Sequence, residues 1–213
     1  KIDDMALFKI DNMHLSMEQR LIKRVMDIVI SLIVIVITSP LMLVTALLIK
    51  WYDKGPAIYS QERVTINNKP FKLYKFRTMV VNAEKDTGPV LAQESDSRIT
   101  PVGRFIRATR IDELPQFFNV LKGDMSIVGP RPERKCFIDE FVVDVPEFRY
   151  RTSVKAGITG LAQVFGKYTT TPADKVKFDL LYIKKASIWQ DLKIMLLTLK
   201  VMFMKVSAAG KSE

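Results

Sequence analysis

IVISLIVIVITSPLMLVTALLI, Ile28 to Ile49, is the stretch whose reading decides the architecture: 22 residues without a charge. As a helix rising about 1.5 Å per residue, it approaches the thickness of a bilayer's hydrocarbon. Membrane contact is the first expectation. Pro40 removes a backbone donor and clashes with the preceding turn, and Ser39 stands beside it to hydrogen-bond freed backbone groups, so a break is expected at Ser39-Pro40. It would leave half-helices of 12 and 9 residues, about 18 and 13 Å long and each too short to span. Arg20, Lys23 and Arg24 precede the run while Lys50 and Lys54 follow it, so the positive-inside rule assigns no direction. Basic residues at both ends suit a segment that enters and leaves by one face. The run follows acidic and polar residues, lacks an A-x-A-like cleavage site and is too long for a signal-peptide core. A kinked re-entrant helix hairpin is the favoured reading, a straight span its competitor, and a buried core helix the third alternative.

Working outward, residues 1–24 read as a juxtamembrane linker or helix, residues 25–50 as the membrane hairpin, 51–206 as one cytoplasmic-facing domain, and 207–213 as a flexible tail. Lys1 in place of an initiator methionine suggests a processed product or a piece of something longer. The 213-residue chain is 48% hydrophobic and 26% charged, a composition that buries a core. Its net charge is +10, and residues 50–213 carry all of that excess. Such a surplus suits anionic headgroups, nucleotides or phosphorylated substrates. Nucleic acid is not expected, since zinc-finger spacing, an RNP aromatic motif and a basic zipper are all missing. The single cysteine, Cys136, rules out an internal disulfide, and the single histidine, His14, precedes the membrane run. Carboxylates, lysines, arginines and hydroxyls must carry any chemistry, and a metal held by such hard ligands would be Mg²⁺ or Mn²⁺.

Ala57–Ile66 and Phe71–Met79, separated by Asn67-Asn68-Lys69-Pro70, read as a β-hairpin whose second strand ends in Lys75-Phe76-Arg77-Thr78-Met79. Asn82–Asp96 reads as a loop. Arg98, Arg104, Arg107 and Arg110 then fall within 13 residues and lead into Asp112-Glu113. A helix is expected over Asp112–Leu121, with Asp112 as N-cap and Pro115 in its first turn. A helix start would keep that carboxylate ionised and favour a phosphate beside it; equally, Asp112 could serve only as a cap and Glu113 only as a first-turn charge. Arg131 stands between Pro130 and Pro132, which restrict the backbone on both sides and hold the guanidinium as a fork for phosphate, or simply form a turn. A helix is expected over Cys136–Val143. Gly157-Ile158-Thr159-Gly160 beside basic residues offers a weak anion cradle. Ile188–Val206 is amphipathic, with Gln190, Asp191, Lys193, Thr198, Lys200 and Lys205 on about half of its circumference, consistent with an in-plane membrane helix or with packing on the domain.

The order of these pieces closely resembles the bacterial sugar transferases, the monotopic phosphoglycosyl transferases that begin glycan assembly on a polyprenyl phosphate. The resemblance runs from about Leu21 to Phe203: Lys23, Arg24 and Asp27 before Ser39-Pro40, then GPAIYSQERV, KFRTM, RITPVGRFIR, DELPQ, GDMSIVGPRPE and GITGLAQV. Ala156 departs from the pattern, since members often carry proline before GITG. The resemblance implies an α+β, mainly helical fold with a small antiparallel hairpin, a re-entrant membrane helix and amphipathic interfacial helices. It implies the catalytic portion of a longer member, acting on the cytoplasmic face of the inner (plasma) membrane in capsule or exopolysaccharide synthesis. It further implies a UDP-sugar donor, a polyprenyl (undecaprenyl) phosphate acceptor and one membrane leaflet as partners, with a homodimer as a further one.

By the same resemblance Asp112 attacks the β-phosphate, releases UMP and holds the phosphosugar until polyprenyl phosphate captures it. Glu113 with Asp112 binds Mg²⁺, or Glu113 helps to activate the acceptor. Arg131 resembles a donor-phosphate ligand, and Lys75, Arg77, Arg98, Arg104 and Arg107 further phosphate or headgroup contacts. The competing readings are a membrane-anchored, non-catalytic assembly protein that gathers phospholipids or partners, and a lipid-linked phosphohydrolase.

Overall fold

The computed structural model describes residues 15–85, 88, 96–166 and 171–209, with side chains through residue 202. Residues 1–14 with His14, most of the expected 82–96 loop and the end of the expected 207–213 tail lie outside the described residues.

Helix α1, Met17–Asp53, contains the whole apolar run. Ser16 and Gln19 close a reciprocal capping box at its start, and Lys54 in a left-handed conformation ends it. The expected division into two half-helices is corrected: the helix continues through Pro40. Pro40 has no N–H for the carbonyl of Val36, and the Ser39 hydroxyl donates to that carbonyl instead at 2.8 Å. Thr38 adds a bond to the Val34 carbonyl at 2.7 Å. Among the described residues α1 is the one helix long and apolar enough to cross a membrane, and little of its apolar window is covered by protein.

Both ends of α1 are tied to the domain. At the first end Asp27, 3% exposed, accepts from Ser126 Oγ at 2.8 Å and Ile127 N–H at 3.0 Å. Arg24 donates to the Val120 and Leu121 carbonyls at 2.6 and 2.8 Å, and Lys23 to the Val128 carbonyl at 3.1 Å and to Asp191. At the second end Ile49 packs with Phe76 and Ile106, and Asp53 pairs with buried Arg77 at 3.1 Å.

Strands β1 (Ile58–Val64) and β2 (Pro70–Phe76) form the expected antiparallel hairpin, in register from Ile58–Phe76 to Val64–Pro70. Alternation along β2 buries Phe71 and Leu73. Helix α2, Pro101–Ala108, is capped by Thr100 and pressed so closely on Thr78 that a Cβ at Gly103 would lie 2.0 Å from the Thr78 carbonyl oxygen.

The expected Asp112–Leu121 helix is corrected to a 3₁₀ turn, Ile111–Glu113, followed by α3, Gln116–Lys122. Arg110 enters the turn with φ 56°. Pro115, lacking an N–H, stands at the N-cap of α3, and the bonds on either side of it span three residues. Asp112 therefore does not cap a helix.

A two-stranded parallel sheet joins β3 (Ser126–Val128) to β4 (Gly157–Thr159). Around it stand α4 (Lys135–Asp144), the 3₁₀ segment Pro146–Ser153, α5 (Leu161–Phe165), α6 (Pro172–Lys184) and α7 (Ile188–Ala209). The tail expected from residue 207 is thus helical through Ala209. The main core gathers Phe71 and Leu73 of β2, Val120 of α3, Met125 just before β3, Ile127 of β3, Tyr182 of α6 and Ile194 of α7. Asp191, expected on the polar face of α7, is turned inward to Lys23 and the Tyr182 hydroxyl.

The Gly157–Gly160 loop cradles backbone rather than an anion. A Cβ on Gly157 would sit 2.1 Å from the Gly129 nitrogen, and one on Gly129 would sit 2.4 Å from the Lys155 carbonyl oxygen. Gly129 N–H donates to the Thr159 carbonyl at 2.8 Å and Gly157 N–H to the Pro130 carbonyl at 2.9 Å. Ala156 uses its N–H to bond Thr65 Oγ1 at 3.1 Å, which proline could not do. Gly157→Ala should lower stability by about 1–3 kcal/mol through this overpacking. The check is thermal unfolding in detergent, and a midpoint equal to that of the unsubstituted protein would refute the contact's role.

Candidate active site

The turn Ile111–Glu113 brings its two acidic residues to β2, to the end of α2 and to the Pro130-Arg131-Pro132 turn after β3. Glu113 is pinned: its Oε1 accepts from Arg131 Nη2 at 2.8 Å and Lys75 Nζ at 3.2 Å, and its Oε2 faces Arg110 Nη1 at 3.7 Å. Asp112 differs. Among the described residues its carboxylate takes no hydrogen bond and has one ion contact, with Lys75 Nζ at 3.8 Å, although the residue is only 9% exposed.

The two carboxyls are consequently pushed apart in acidity. Burial drives Asp112 upward from the ordinary aspartate value, with Glu113 adding to it and Lys75 only partly opposing it. Burial also pushes on Glu113, but Arg131 and Lys75 outweigh it and hold that carboxyl well below the glutamate range. Glu113 in return raises Arg131, while burial lowers Lys75. Opposed shifts in a neighbouring pair are how two carboxylates acquire different chemical roles.

Arg131 is fixed from behind. Arg151 donates to the Arg131 carbonyl at 3.0 Å and forms a buried pair with Asp179 at 2.5 Å, its guanidinium 4.5 Å above the Phe148 ring. Arg107 is steered by a bond from its Nε to Thr78 Oγ1 at 2.8 Å, and its charge acts on Asp112.

Of the residues singled out in the sequence, Lys75, Arg107 and Arg131 join Asp112 and Glu113. Three do not. Arg77 is buried against Asp53 and fastens α1 to the hairpin; Arg98 closes on Asp96, with Nη2 to Oδ2 at 2.6 Å; Arg104 is exposed on α2. Sequence reasoning named Arg110 among the cations leading into the acidic pair but gave no site role to it, to Thr78 or to Arg151. Arg110 ends the arginine-rich stretch and directly precedes the acidic turn, so its position carried a signal; Arg151 acts through a partner 28 residues away and carried none.

Asp112 and Glu113 present adjacent hard oxygens, a donor set of the kind that holds Mg²⁺ when substrate phosphates and waters complete the shell. Among the described residues, no cluster of three or more histidines, cysteines or carboxylates could hold a metal without substrate.

Residues 18–205 match the model of a family described as Bacterial sugar transferase. The chain belongs to the bacterial sugar transferase family. It is 49% identical over 182 residues to the UDP-N-acetylgalactosamine-undecaprenyl-phosphate N-acetylgalactosaminephosphotransferase of Aeromonas hydrophila, covering 84% of this chain and 43% of that protein. It is 44% identical over 191 residues to the UDP-glucose:undecaprenyl-phosphate glucose-1-phosphate transferase of Klebsiella pneumoniae, covering 87% and 41%. With the undecaprenyl-phosphate galactose phosphotransferase of Salmonella typhimurium the identity is 40% over 223 residues, covering 96% and 45%. The chain thus spans less than half the length of these curated relatives. Within this bacterial sugar transferase the motifs have distinct jobs: Lys23, Arg24 and Asp27 dock α1, Gly129 and Gly157 lock the Arg131 turn, and DELPQ supplies the acidic pair.

The electrostatics predict a pH signature. Because the folded value of Glu113 is depressed, its contribution to stability is complete above the ordinary value of 4.5 and is lost only as pH falls through the depressed one. Arg131→Met removes the first of the opposing cations, so burial pushes Glu113 upward and its ionised form becomes a liability. The gap in unfolding midpoint between this variant and the unsubstituted protein should narrow on acidification from neutral pH toward 4.5. A constant or widening gap would contradict the assignment.

Proposed function

We propose that this chain transfers a sugar-1-phosphate from a UDP-sugar to polyprenyl phosphate by way of a phosphosugar carried on Asp112, at the cytoplasmic face of the inner membrane. One observation carries the reading: Asp112, 9% exposed and taking no hydrogen bond among the described residues, lies beside a carboxylate pinned by cations. Burial raises the basicity of Asp112, which favours a nucleophile. Glu113, held ionised by Arg131 and Lys75, is a poor proton acceptor and suits metal and phosphate positioning.

In the first step an Asp112 carboxylate oxygen forms a bond to the β-phosphorus, the bond from that phosphorus to the oxygen bridging to the α-phosphate breaks, and UMP leaves with the electron pair. Arg131, Lys75 and Arg107 stand where they can balance charge on the transferred group. In the second step an oxygen of the acceptor phosphate attacks the same phosphorus and returns the Asp112 carboxylate. Asp112 and Glu113 would hold Mg²⁺, which when bound supplies further neutralisation of phosphate charge. A covalent relay lets a water-soluble donor and a membrane lipid use one site in turn.

The membrane side of the reading rests on α1. Its exposed Val36, Ile37, Leu43 and Leu47 lie between two docked ends, consistent with entry and exit by one face. Both tryptophans, Trp51 and Trp189, are exposed, as suits residues at headgroup level. The relatives named above differ in the sugar of their printed names, so the sugar is a matter for a donor panel.

Incubating the detergent-purified chain with Mg²⁺ and a panel of UDP-sugars, without acceptor, should add the mass of one phosphosugar for the cognate donor. The adduct should be missing in Asp112→Asn, discharge on addition of undecaprenyl phosphate, and be matched by a turnover loss on the order of 10³ or more in the variant. Release of UMP with no adduct, or full turnover by Asp112→Asn, would overturn the covalent mechanism.

A further inference from the structure

The last turns of α1 reach the acidic pair by two routes. One is apolar: Ile49, with Met42 and Ala46 beside it, packs on Phe76 of β2 and Ile106 of α2. Ile111 and Leu114, which bracket Asp112 and Glu113, rest on the same cluster. The other route is polar. Asp53, the final residue of α1, meets Arg77 directly after β2. The next residue, Thr78, holds α2: its carbonyl accepts the Thr100 N–H at 3.0 Å and its Oγ1 accepts from Arg107 Nε at 2.8 Å. We propose that Asp53 and Arg77 are positioning residues for the transfer step, fixing the strand end from which Thr78 sets Arg107 where its charge acts on Asp112. The proposal rests on the transferase reading above for what Arg107 does there.

Three features single out this pair. The Arg77 side chain is 6% exposed, and its Nη1 lies 3.1 Å from Asp53 Oδ2, while none of its three nitrogens makes a hydrogen bond. A cation buried in this way is placed by its counter-ion, because no directed bond holds it elsewhere. The packing also leaves no slack. A Cβ on Gly55 would lie 2.3 Å from Arg77 Nη1, and one on Gly103 would lie 2.0 Å from the Thr78 carbonyl oxygen. A displacement of Arg77 is therefore passed on to Thr78 and α2 rather than absorbed.

Third, among the described residues the bond to Thr78 is the one side-chain hydrogen bond that Arg107 makes. Its guanidinium has no second tether, so its aim depends on where Thr78 stands. A group that balances charge on a transferred phosphoryl acts in the transition state, and its misplacement slows the step more than it weakens binding. The geometry of the site thus follows the end of α1.

The test is single-turnover UMP release by the full detergent-purified chain with Mg²⁺ and the UDP-sugar that gives the adduct. Asp53→Asn should lower the rate constant about tenfold at unchanged amplitude and unchanged half-saturating donor concentration, and Asp53→Glu should recover most of the loss. In an Arg107→Met background Asp53→Asn should cost less than about twofold more, because both act through one group. Where the stranded Arg77 charge prevents folding, Asp53→Asn with Arg77→Gln leaves no charge unpaired and should show the same slowing. Thr78→Val, which removes the Oγ1 acceptor, should match it, with recovery in Thr78→Ser. Hydrogen exchange reads the coupling without turnover: amides of α2 and of the acidic turn should exchange about tenfold faster in the Asp53 variants, while those at the Arg63–Phe71 end of the hairpin keep their rates.

Additive losses in the Arg107→Met background would overturn the proposal, as would a lowered amplitude with an unchanged rate constant, the mark of a merely structural pair. Unchanged exchange in α2 would overturn it as well. The unsubstituted chain separates the two readings. If it releases UMP and the Asp53 variants match it, the reaction stands and the positioning role falls; if it releases none, the transferase reading falls and exchange in α2 decides the coupling.

Discussion

Two polar anchorages at opposite ends of one apolar helix hold this structure together. Asp27, buried against β3, satisfies a hydroxyl and a backbone N–H that would otherwise be orphaned, and Arg24 closes the last carbonyls of α3. At the other end Asp53 meets Arg77, whose burial makes an unpaired charge costly. Between these points the helix turns its apolar residues outward. Everything near the acidic pair is then positioned relative to a helix whose apolar residues face outward.

The acidic pair depends on a second constraint, the contact of two glycine-bearing loops. Only a residue without Cβ allows the backbone at 129 to touch that at 157, and this contact presents Arg131 to Glu113. Arg151, paired with Asp179, secures the same turn from its far side. With Glu113 Oε1 held by Arg131 and Lys75, Asp112 is left as the carboxylate that takes no hydrogen bond among the described residues. The asymmetry within the pair is a product of tertiary packing, since the two residues are neighbours in sequence with similar intrinsic acidity.

Much of this was legible in the chain itself. The charge-free run announced α1, alternation and the Asn-Asn-Lys-Pro turn announced the hairpin, and the arginines before Asp112 announced a cationic surrounding for a carboxylate pair. Local signals misled where hydrogen bonding had alternatives. Pro40 marked a break, but Ser39 supplies the missing donor and the helix continues. Asp112 had the composition of an N-cap, but Pro115 delays the regular ladder and leaves the aspartate in a 3₁₀ turn. The arginines could not be sorted by sequence, because each is defined by a partner brought by the fold: Asp53 for Arg77, Asp96 for Arg98, Glu113 for Arg131. Asp191 illustrates the same limit, a charge on an amphipathic helix that turns inward to reach Lys23.

If α1 enters and leaves the bilayer on the side of the domain that carries the acidic pair, both of its flanks face the same compartment. Sidedness of labelling tests it most directly. In a Cys136→Ser background, Arg20→Cys and Lys54→Cys, both at exposed positions flanking the apolar run, are probed with a membrane-impermeant maleimide in inside-out and right-side-out vesicles. Both positions should react from the cytoplasmic side and neither from the other; reaction of the two from opposite sides would establish a spanning helix and rule out a re-entrant one.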